Sequence, residues 1–220
     1  MTRLAETAPP FPYPIKAVIL DYGEVISHPA DPKVISWMAQ MFGVQVQGFR
    51  QTYGQFRHDY DRGTLSAIEY WTNVGEANGI HPSAEQIDEL RKADVRMWSR
   101  LNQSVLDWVL ELREAGFKTA VLSNMHDDMV QHLRTNGEWT KRFDVVTLSS
   151  SLGTAKPEPE IFEHCLNGLG VTASEAIFID DREANIEGAL RVGLSGIVAP
   201  TTEALVTMLE AMGFSPVPKL

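Results

Sequence analysis

The 220-residue chain has one cysteine, a deficit of positive charge and no long apolar segment. Because Cys165 is the only cysteine, an intrachain disulfide is excluded. No apolar run approaches the roughly 20 residues that a membrane-spanning helix needs, so we expect no transmembrane segment. The first residues lack the apolar core of a signal peptide, and we therefore expect a cytoplasmic protein.

The charge balance limits the classes of partner. Lys and Arg total 19 and Asp and Glu total 29, which gives a formal charge of −10. With no cluster of Lys or Arg, this balance argues against nucleic acid and against anionic membranes as partners. A phosphorylated small molecule would be repelled by the mean charge, so a site for one needs its own local cations. These features leave the oligomeric state open.

Short apolar runs alternate with helical patterns over most of the chain, and the hydrophobic content of 44% is that of a globular protein. The runs predict five buried strands: Ile15–Leu20, Phe117–Leu122, Val145–Leu148, Ala176–Asp180 and Gly196–Ala199. The helix directly before the second run is expected to begin at a Ser104 cap and to end at Gly116. Further helices are expected at about 127–135, 158–168, 183–192 and 202–212. This alternation predicts an α/β fold, a Rossmann-like parallel sheet covered on both faces.

The stretch at 31–103 interrupts the alternation and predicts an all-helical insertion. Asp31 followed by Pro32 is a helix start, and Ser66 and Ser83 each begin a capping box. We therefore expect a core formed by residues 15–30 and 104–220, with the insertion between its two parts. Four prolines in residues 1–14 predict a flexible N-terminal arm.

Several polar residues fall at or just beyond the carboxyl ends of the predicted strands: Asp21, Ser123, Asn124, Lys156, Asp180 and Asp181. Taken singly, such residues are typical of turns, helix caps or surface charges. In a parallel sheet, however, the carboxyl ends of the strands meet at one edge, where ligands bind. The set therefore predicts a site that binds a cation and an oxyanion.

Four motifs resemble those of the haloacid dehalogenase-like hydrolase superfamily: DYGEV at 21–25, VLSN at 121–124, AKPEPEIF at 155–162 and IFIDDREANIEGA at 177–189. Their order and their positions at strand ends make the resemblance specific. The insertion at 31–103 is similar to the helical cap of the family. Within it, DRGTLSAIEYW at 61–71 resembles caps of glucose-1-phosphatase-like proteins and of epoxide-hydrolase N-domains.

The resemblance implies a Mg²⁺-dependent phosphatase that acts on a small phosphorylated metabolite. It implies that Asp21 is the nucleophile and forms an aspartyl-phosphate. It further implies that Mg²⁺ is held by Asp21, the backbone carbonyl of Gly23 and the acidic pair, with Asp181 in direct contact and Asp180 either direct or through water.

The remaining roles concern the phosphoryl group. Lys156 is implied as a catalytic and phosphate-binding cation that also separates the acids electrostatically. The Ser123 hydroxyl and the Asn124 backbone N–H are implied as donors to the phosphoryl oxygens. Asn185 is implied as a positioning residue for the loop or for the lysine.

One position departs from the family. Most of its phosphatases carry a second aspartate, which serves as general acid and base, where this chain has Gly23. Loss of proton donation could reduce the rate by about 10²–10⁴, least for acyl or aryl phosphates, so the enzyme is expected to be slow with alkyl phosphates. Glu24 is the nearest other carboxylate, but alternation along the chain is expected to turn it away.

This departure leaves two other functions open. The first is a catalytically impaired protein that binds Mg²⁺ and a phosphorylated metabolite. The second is a metal-independent 2-haloacid dehalogenase, although Tyr22 stands one position before the tyrosine of those enzymes and the acidic pair is retained. Residues that could also reach the substrate are His126 in the core and Arg57, Arg62 and Trp71 in the insertion.

Overall fold

The computed structural model describes residues 14–220. Except for Pro14, the predicted N-terminal arm lies outside the described residues. Five parallel strands form one sheet: β1 (Ala17–Leu20), β2 (Lys118–Ser123), β3 (Val145–Leu148), β4 (Ala176–Asp180) and β5 (Ser195–Val198). Their order is β3-β2-β1-β4-β5, and the predicted Rossmann-like α/β fold is confirmed.

Eleven α-helices are formed within residues 14–220. They are α1 (Pro32–Met41), α2 (Val46–Gln55), α3 (Arg57–Arg62), α4 (Ala67–Ala77), α5 (Ala84–Trp98), α6 (Gln103–Glu114), α7 (Asp127–Asn136), α8 (Ser149–Leu152), α9 (Pro159–Leu169), α10 (Glu183–Arg191) and α11 (Thr202–Ala211). None of the helices in this part of the chain is both long and apolar enough to cross a bilayer.

Both faces of the sheet are buried, as its near-continuous apolar strands require. Alternate residues of β1 point into two separate cores. Val18 and Leu20 pack with apolar residues of α6, α7 and α11, whereas Ala17 and Ile19 pack with residues of α9 and α10. All four side chains are fully buried, so the central strand is held from both sides.

Helices α1 to α5, which we call the helical unit, lie between β1 and β2 in the sequence and surround a third core of their own. The predicted starts of three of them are confirmed. Asp31 accepts a hydrogen bond from the Lys33 N–H, and Ser66 and Ser83 each form a capping box. These local signals begin the helices of the unit, and the aromatic core packs them together.

The start of α6 differs from the prediction. Its N-cap is Asn102, whose side chain accepts from the Val105 N–H, whereas Ser104 lies inside the first turn of the helix. Both residues are good caps by type. The position is decided by the tertiary structure, because the backbone N–H of Asn102 donates to the Ile26 carbonyl at 2.8 Å and its amide donates to Thr202 at 2.8 Å.

The two connections between the helical unit and the sheet run side by side. Ser27 and Leu101 form an antiparallel bridge. The N–H of His28 donates to the Arg100 carbonyl at 2.7 Å, next to the hydrogen bond that joins Asn102 to Ile26. The helical unit therefore leaves and rejoins the sheet at one place, beside the carboxyl end of β1.

Candidate active site

A cavity separates the carboxyl ends of the strands from the helical unit. The predicted residues that line it are Asp21, Gly23, Ser123, Asn124, Lys156, Asp181 and Asn185. The eighth predicted residue, Asp180, is fully buried behind this wall and contacts Lys156. The structure therefore brings together residues that are as much as 164 positions apart in the sequence, from Asp21 to Asn185.

Asp21 immediately follows β1, and only 7% of the residue is exposed. Its Oδ1 accepts from the Tyr22 N–H at 2.7 Å and lies 2.7 Å from Lys156 Nζ. Because both contacts are made by Oδ1, Oδ2 has no partner among the residues that the structure describes and is the oxygen left for a ligand. Burial raises the pKa of Asp21 to about 7, with Lys156 opposing the rise and Asp180 adding to it.

Lys156 lies between two carboxylates, with its Nζ 2.7 Å from Asp21 Oδ1 and 2.7 Å from Asp180 Oδ2. Its side chain is 1% exposed. Burial would lower the pKa of Lys156, but the two acids outweigh burial and hold it above its usual value. The ammonium group therefore remains charged at neutral pH.

The amide side chain of Asn124 fixes the loop that carries Lys156. Its Nδ2 donates to the Lys156 carbonyl at 2.9 Å, and its Oδ1 accepts from the Lys156 N–H at 2.8 Å. Ser123, the last residue of β2, is nearly buried, and its hydroxyl makes a long contact of 3.4 Å with the Asn124 carbonyl. The Ser123 hydroxyl can therefore turn to a stronger acceptor in the cavity.

The two adjacent acids after β4 have different surroundings. Asp180 accepts hydrogen bonds from Lys156, from the Arg182 N–H at 2.8 Å and from Asn185 Nδ2 at 3.0 Å to each oxygen. Asn185 thus contacts the acid that holds the lysine and acts on the lysine only through that acid. Asp181 lies at the cavity wall, and burial together with Asp180 raises its pKa to about 6.

The three acids fit a divalent cation. Asp21, Asp180 and Asp181 can each place one carboxylate oxygen within 4.8 Å of the others. Three carboxylates and one ammonium leave a net charge of −2, which is costly in a buried site without a further cation. Carboxylate and carbonyl oxygens are the ligands that Mg²⁺ prefers.

Several expectations about neighbouring residues are corrected. Glu24 lines the cavity instead of turning away from it, because it lies in a wide turn with a left-handed φ of 59° where the strand alternation no longer applies. Trp71 is fully buried in the core of the helical unit. Arg62 binds Glu158 and the Gly153 carbonyl, away from the cavity wall.

His126 lines the cavity, as predicted, at the contact between the helical unit and the core, and 1% of it is exposed. Its ring stacks on Tyr60 with centroids 4.5 Å apart, and its Nε2 is 3.4 Å from Asp94 Oδ2 without hydrogen-bond geometry. Burial lowers its pKa. The ring is therefore neutral at neutral pH.

Of the helical-unit residues singled out in the sequence, Arg57 lines the cavity. Sequence reasoning missed three neighbours on the same wall, namely Tyr53, Asp61 and Trp98. The spacing of Arg57 and Asp61, four residues apart, is a signal for a helical ion pair. Nothing in the local pattern shows that this pair faces the sheet.

Three curated relatives are similar in sequence. Acyl-CoA dehydrogenase family member 10 of Mus musculus is 37% identical over 47% of this chain, which spans 10% of that protein. The sesquiterpene phosphatase astK of Aspergillus oryzae is 29% identical over 73% of this chain and 77% of its own. The D-ribitol-5-phosphate phosphatase of Bacteroides thetaiotaomicron is 26% identical over 81% of this chain and 89% of its own.

A solved structure shares the architecture. A haloacid dehalogenase family enzyme of Bacteroides thetaiotaomicron, in complex with magnesium and inorganic phosphate, superposes with a TM-score of 0.65. It is 25% identical and covers 83% of this chain and 93% of its own. The sequence profile for haloacid dehalogenase-like hydrolases matches residues 15–193. This match, with the sheet order and the strand-end acids, shows that the chain belongs to the haloacid dehalogenase-like hydrolases.

Proposed function

We propose that the chain is a Mg²⁺-dependent phosphatase that acts on a small phosphorylated metabolite through an aspartyl-phosphate at Asp21. The observation that carries the proposal is the position of Lys156, which is 2.7 Å from both Asp21 and Asp180 and leaves Asp21 Oδ2 for a ligand. Relatives that bear the names of phosphatases for a pentitol phosphate and for a sesquiterpene support the reaction type.

The chemistry needs an in-line nucleophile and positive charge around the phosphoryl oxygens. Asp21 Oδ2 forms a bond to phosphorus as the bond to the leaving oxygen breaks. Lys156, the Ser123 hydroxyl and the Asn124 backbone N–H stabilise the charge on the phosphoryl oxygens. Water then cleaves the aspartyl-phosphate, which restores Asp21 and releases inorganic phosphate.

The metal would be held by Asp21, Asp181 and the Gly23 carbonyl, with Asp180 completing the acid cluster. Asp181 is the better direct ligand of the adjacent pair, because both oxygens of Asp180 already accept hydrogen bonds. When bound, Mg²⁺ supplies positive charge beside the phosphoryl group. Burial contributes most to the raised pKa values of Asp21 and Asp181, and the neighbouring Asp180 adds to both.

The helical unit would act as a cap over the site, in keeping with the predicted insertion at 31–103. It supplies the wall of the cavity opposite the strand ends, so it would exclude water and select the organic part of the substrate. The core would set the type of reaction. We infer that related chains with different substrates differ in the residues that form this wall.

The proposal is tested with 4-nitrophenyl phosphate, whose leaving group needs no proton. We expect hydrolysis that requires Mg²⁺ and stops with a chelator. Asp21→Asn is expected to lower kcat by at least about 10³-fold, because the nucleophile is lost. Equal rates for the folded variant and the natural protein would refute Asp21 as the nucleophile.

Because Gly23 provides no side chain for proton transfer, two alternative functions also need to be tested. If the chain is an impaired binding protein, Mg²⁺ with phosphate will raise its Tm while no ester is hydrolysed. If it is a 2-haloacid dehalogenase, chloride will be released from 2-chloropropionate without metal. The acid cluster, which a metal-free reaction leaves uncompensated, favours the phosphatase over the dehalogenase.

A further inference from the structure

The helical unit presents a fixed ion pair to the cavity. Arg57 donates from Nε and Nη2 to the two carboxylate oxygens of Asp61 at 3.1 and 2.7 Å. Its Nη1 donates to the Tyr53 hydroxyl at 2.6 Å and to the fully buried Asp94 at 2.9 Å. The guanidinium plane is thus held by three partners and cannot reorient freely.

This ion pair retains unused hydrogen-bonding capacity. A guanidinium has five N–H groups, and four of those of Arg57 are in use. Each Asp61 oxygen accepts one bond from Arg57 and can accept another. The side chains of Arg57 and Asp61 are 17% and 13% exposed, and both line the cavity that contains Asp21.

The charge and the aromatic rings of this wall further restrict the ligand. Arg57, Asp61 and Asp94 together carry a net charge of −1, which would repel a second anionic group. Beside the ion pair lie the rings of Tyr53 and Trp98, joined by a contact of 3.4 Å from the indole Nε1 to the Tyr53 hydroxyl. Within residues 14–220, the wall therefore combines an apolar surface with one N–H of Arg57 and two acceptor positions of Asp61 that have no partner.

We propose that the organic part of the substrate is an uncharged, polyhydroxylated chain or ring, as in a sugar phosphate or a polyol phosphate. Its hydroxyl groups would bond to Asp61 and to the remaining N–H of Arg57, and its C–H groups would pack on Trp98. An alkyl or isoprenyl group would instead bury these polar atoms without partners, and a site built to bind hydroxyl groups discriminates strongly against analogues that lack them. This inference rests on the proposed phosphatase site and concerns binding, which is separate from the ease with which the leaving group departs.

The test compares two ligands that differ only in their hydroxyl groups. A pentitol phosphonate and pentylphosphonate have the same chain length, and their C–P bonds resist hydrolysis, so the natural protein with Mg²⁺ can be titrated by calorimetry. We expect the pentitol phosphonate to bind at least about 30-fold more tightly, given two hydrogen bonds to charged groups. A pentylphosphonate with a terminal carboxylate is expected to bind no more tightly than pentylphosphonate. Equal Kd values, a preference for the alkyl ligand or binding of neither would overturn the proposal.

A matched pair of variants locates the selectivity. Asp61→Asn is expected to reduce the preference for the pentitol ligand at least about tenfold. Asp128→Asn is the control, because Asp128 also accepts two hydrogen bonds from an arginine of the helical unit, Arg91, but does not line the cavity. It should keep the preference, and an equal loss in both variants would overturn the assignment to Asp61. If Asp61→Asn fails to fold, the ligand comparison in the natural protein still decides the proposal.

The outcomes separate this inference from the proposed reaction. A preference for the pentitol ligand, with no hydrolysis of either 4-nitrophenyl phosphate or a pentitol phosphate, would refute the phosphatase and leave the ligand class standing. Hydrolysis of 4-nitrophenyl phosphate without that preference would leave the phosphatase standing and refute the ligand class.

Discussion

At the scale of single residues, the acids at the strand ends are not equivalent although two of them are adjacent. Both oxygens of Asp180 are occupied by protein donors, among them the buried Lys156. Asp181 lies at the cavity wall, where it can contact a ligand. Substituting Asp180 would therefore disturb the position of the lysine, whereas substituting Asp181 would act mainly on the proposed metal site.

Gly23 is the residue at which the site departs from most phosphatases of the family. A Cβ atom there would lie 3.9 Å from Asp21 Oδ2 and 3.9 Å from the Trp98 ring, which are ordinary van der Waals distances. The φ of −63° suits any amino acid. A side chain can therefore be added without moving the backbone.

We accordingly predict that Gly23→Asp raises the turnover of alkyl phosphates by about 10-fold or more, because it adds a proton donor for a poor leaving group. Steady-state rates with an alkyl phosphate and with 4-nitrophenyl phosphate measure the effect, which should be much smaller for the latter. Gly23→Asn, of the same size but without an acid, is the control and should show no such gain. Equal gains in both variants would contradict a role in proton transfer.

At the scale of secondary-structure elements, the two candidate caps of α6 give a direct comparison. We predict that Asn102→Ala lowers the free energy of unfolding by about 1 kcal/mol or more, because it removes the N-cap bond and the bond to Thr202. Ser104→Ala should cost less, because it removes only an exposed hydrogen bond from the Ser104 hydroxyl to the Lys219 carbonyl. Urea denaturation of the two variants measures both values, and the reverse order would show that the helix begins at Ser104.

The strands and the strand-end residues could be predicted because their signals are local or follow from the topology. The bounds predicted for β3 and β4 match those observed, since each is an apolar run of branched or aromatic residues. Asp21 and Lys156 could be placed together because parallel strands end at one edge.

The residues that the helical unit contributes to the cavity could not be predicted in the same way. From the sequence, Arg57 and Asp61 are predicted only as an ordinary helical ion pair. Trp71 and Trp98 are both tryptophans in predicted helices, and the sequence does not distinguish them, although Trp71 lies in a core and Trp98 on the cavity wall. Which face of a helix meets the sheet depends on how the helices pack, and no periodicity in α3 or α5 specifies it. The prediction that Glu24 turns away from the site is wrong because the turn after β1 is irregular.

At the scale of the whole molecule, the helical unit and the core meet through polar contacts that surround His126. The charged or titratable groups that face its ring are Asp94, Arg57, Asp61, Asp128 and Tyr60. Burial lowers the pKa of His126, and Arg57 lowers it further, while the three acids oppose the shift only in part. The folded protein therefore takes up the proton at lower pH than the unfolded chain does.

We predict from this difference that stability falls as the pH falls below about 6.5, the ordinary pKa of histidine, toward the lower folded value. His126→Phe keeps an aromatic ring against Tyr60 and removes the titration. Urea denaturation at pH 8 and at pH 5.5 should show the natural protein losing about 1 kcal/mol more than the variant. Equal losses of unfolding free energy in the two proteins would mean that groups other than His126 control the fall in stability at acidic pH.

The paired connections at Ile26–His28 and Arg100–Asn102 have a consequence for how such a protein can change. Because the chain departs and returns through neighbouring backbone segments, one short turn could join these segments and replace the whole insertion. The strands, the acids and the lysine are all supplied from outside that stretch. The proposed selectivity could thus be exchanged by swapping a contiguous length of sequence, while the proposed reacting groups stay untouched.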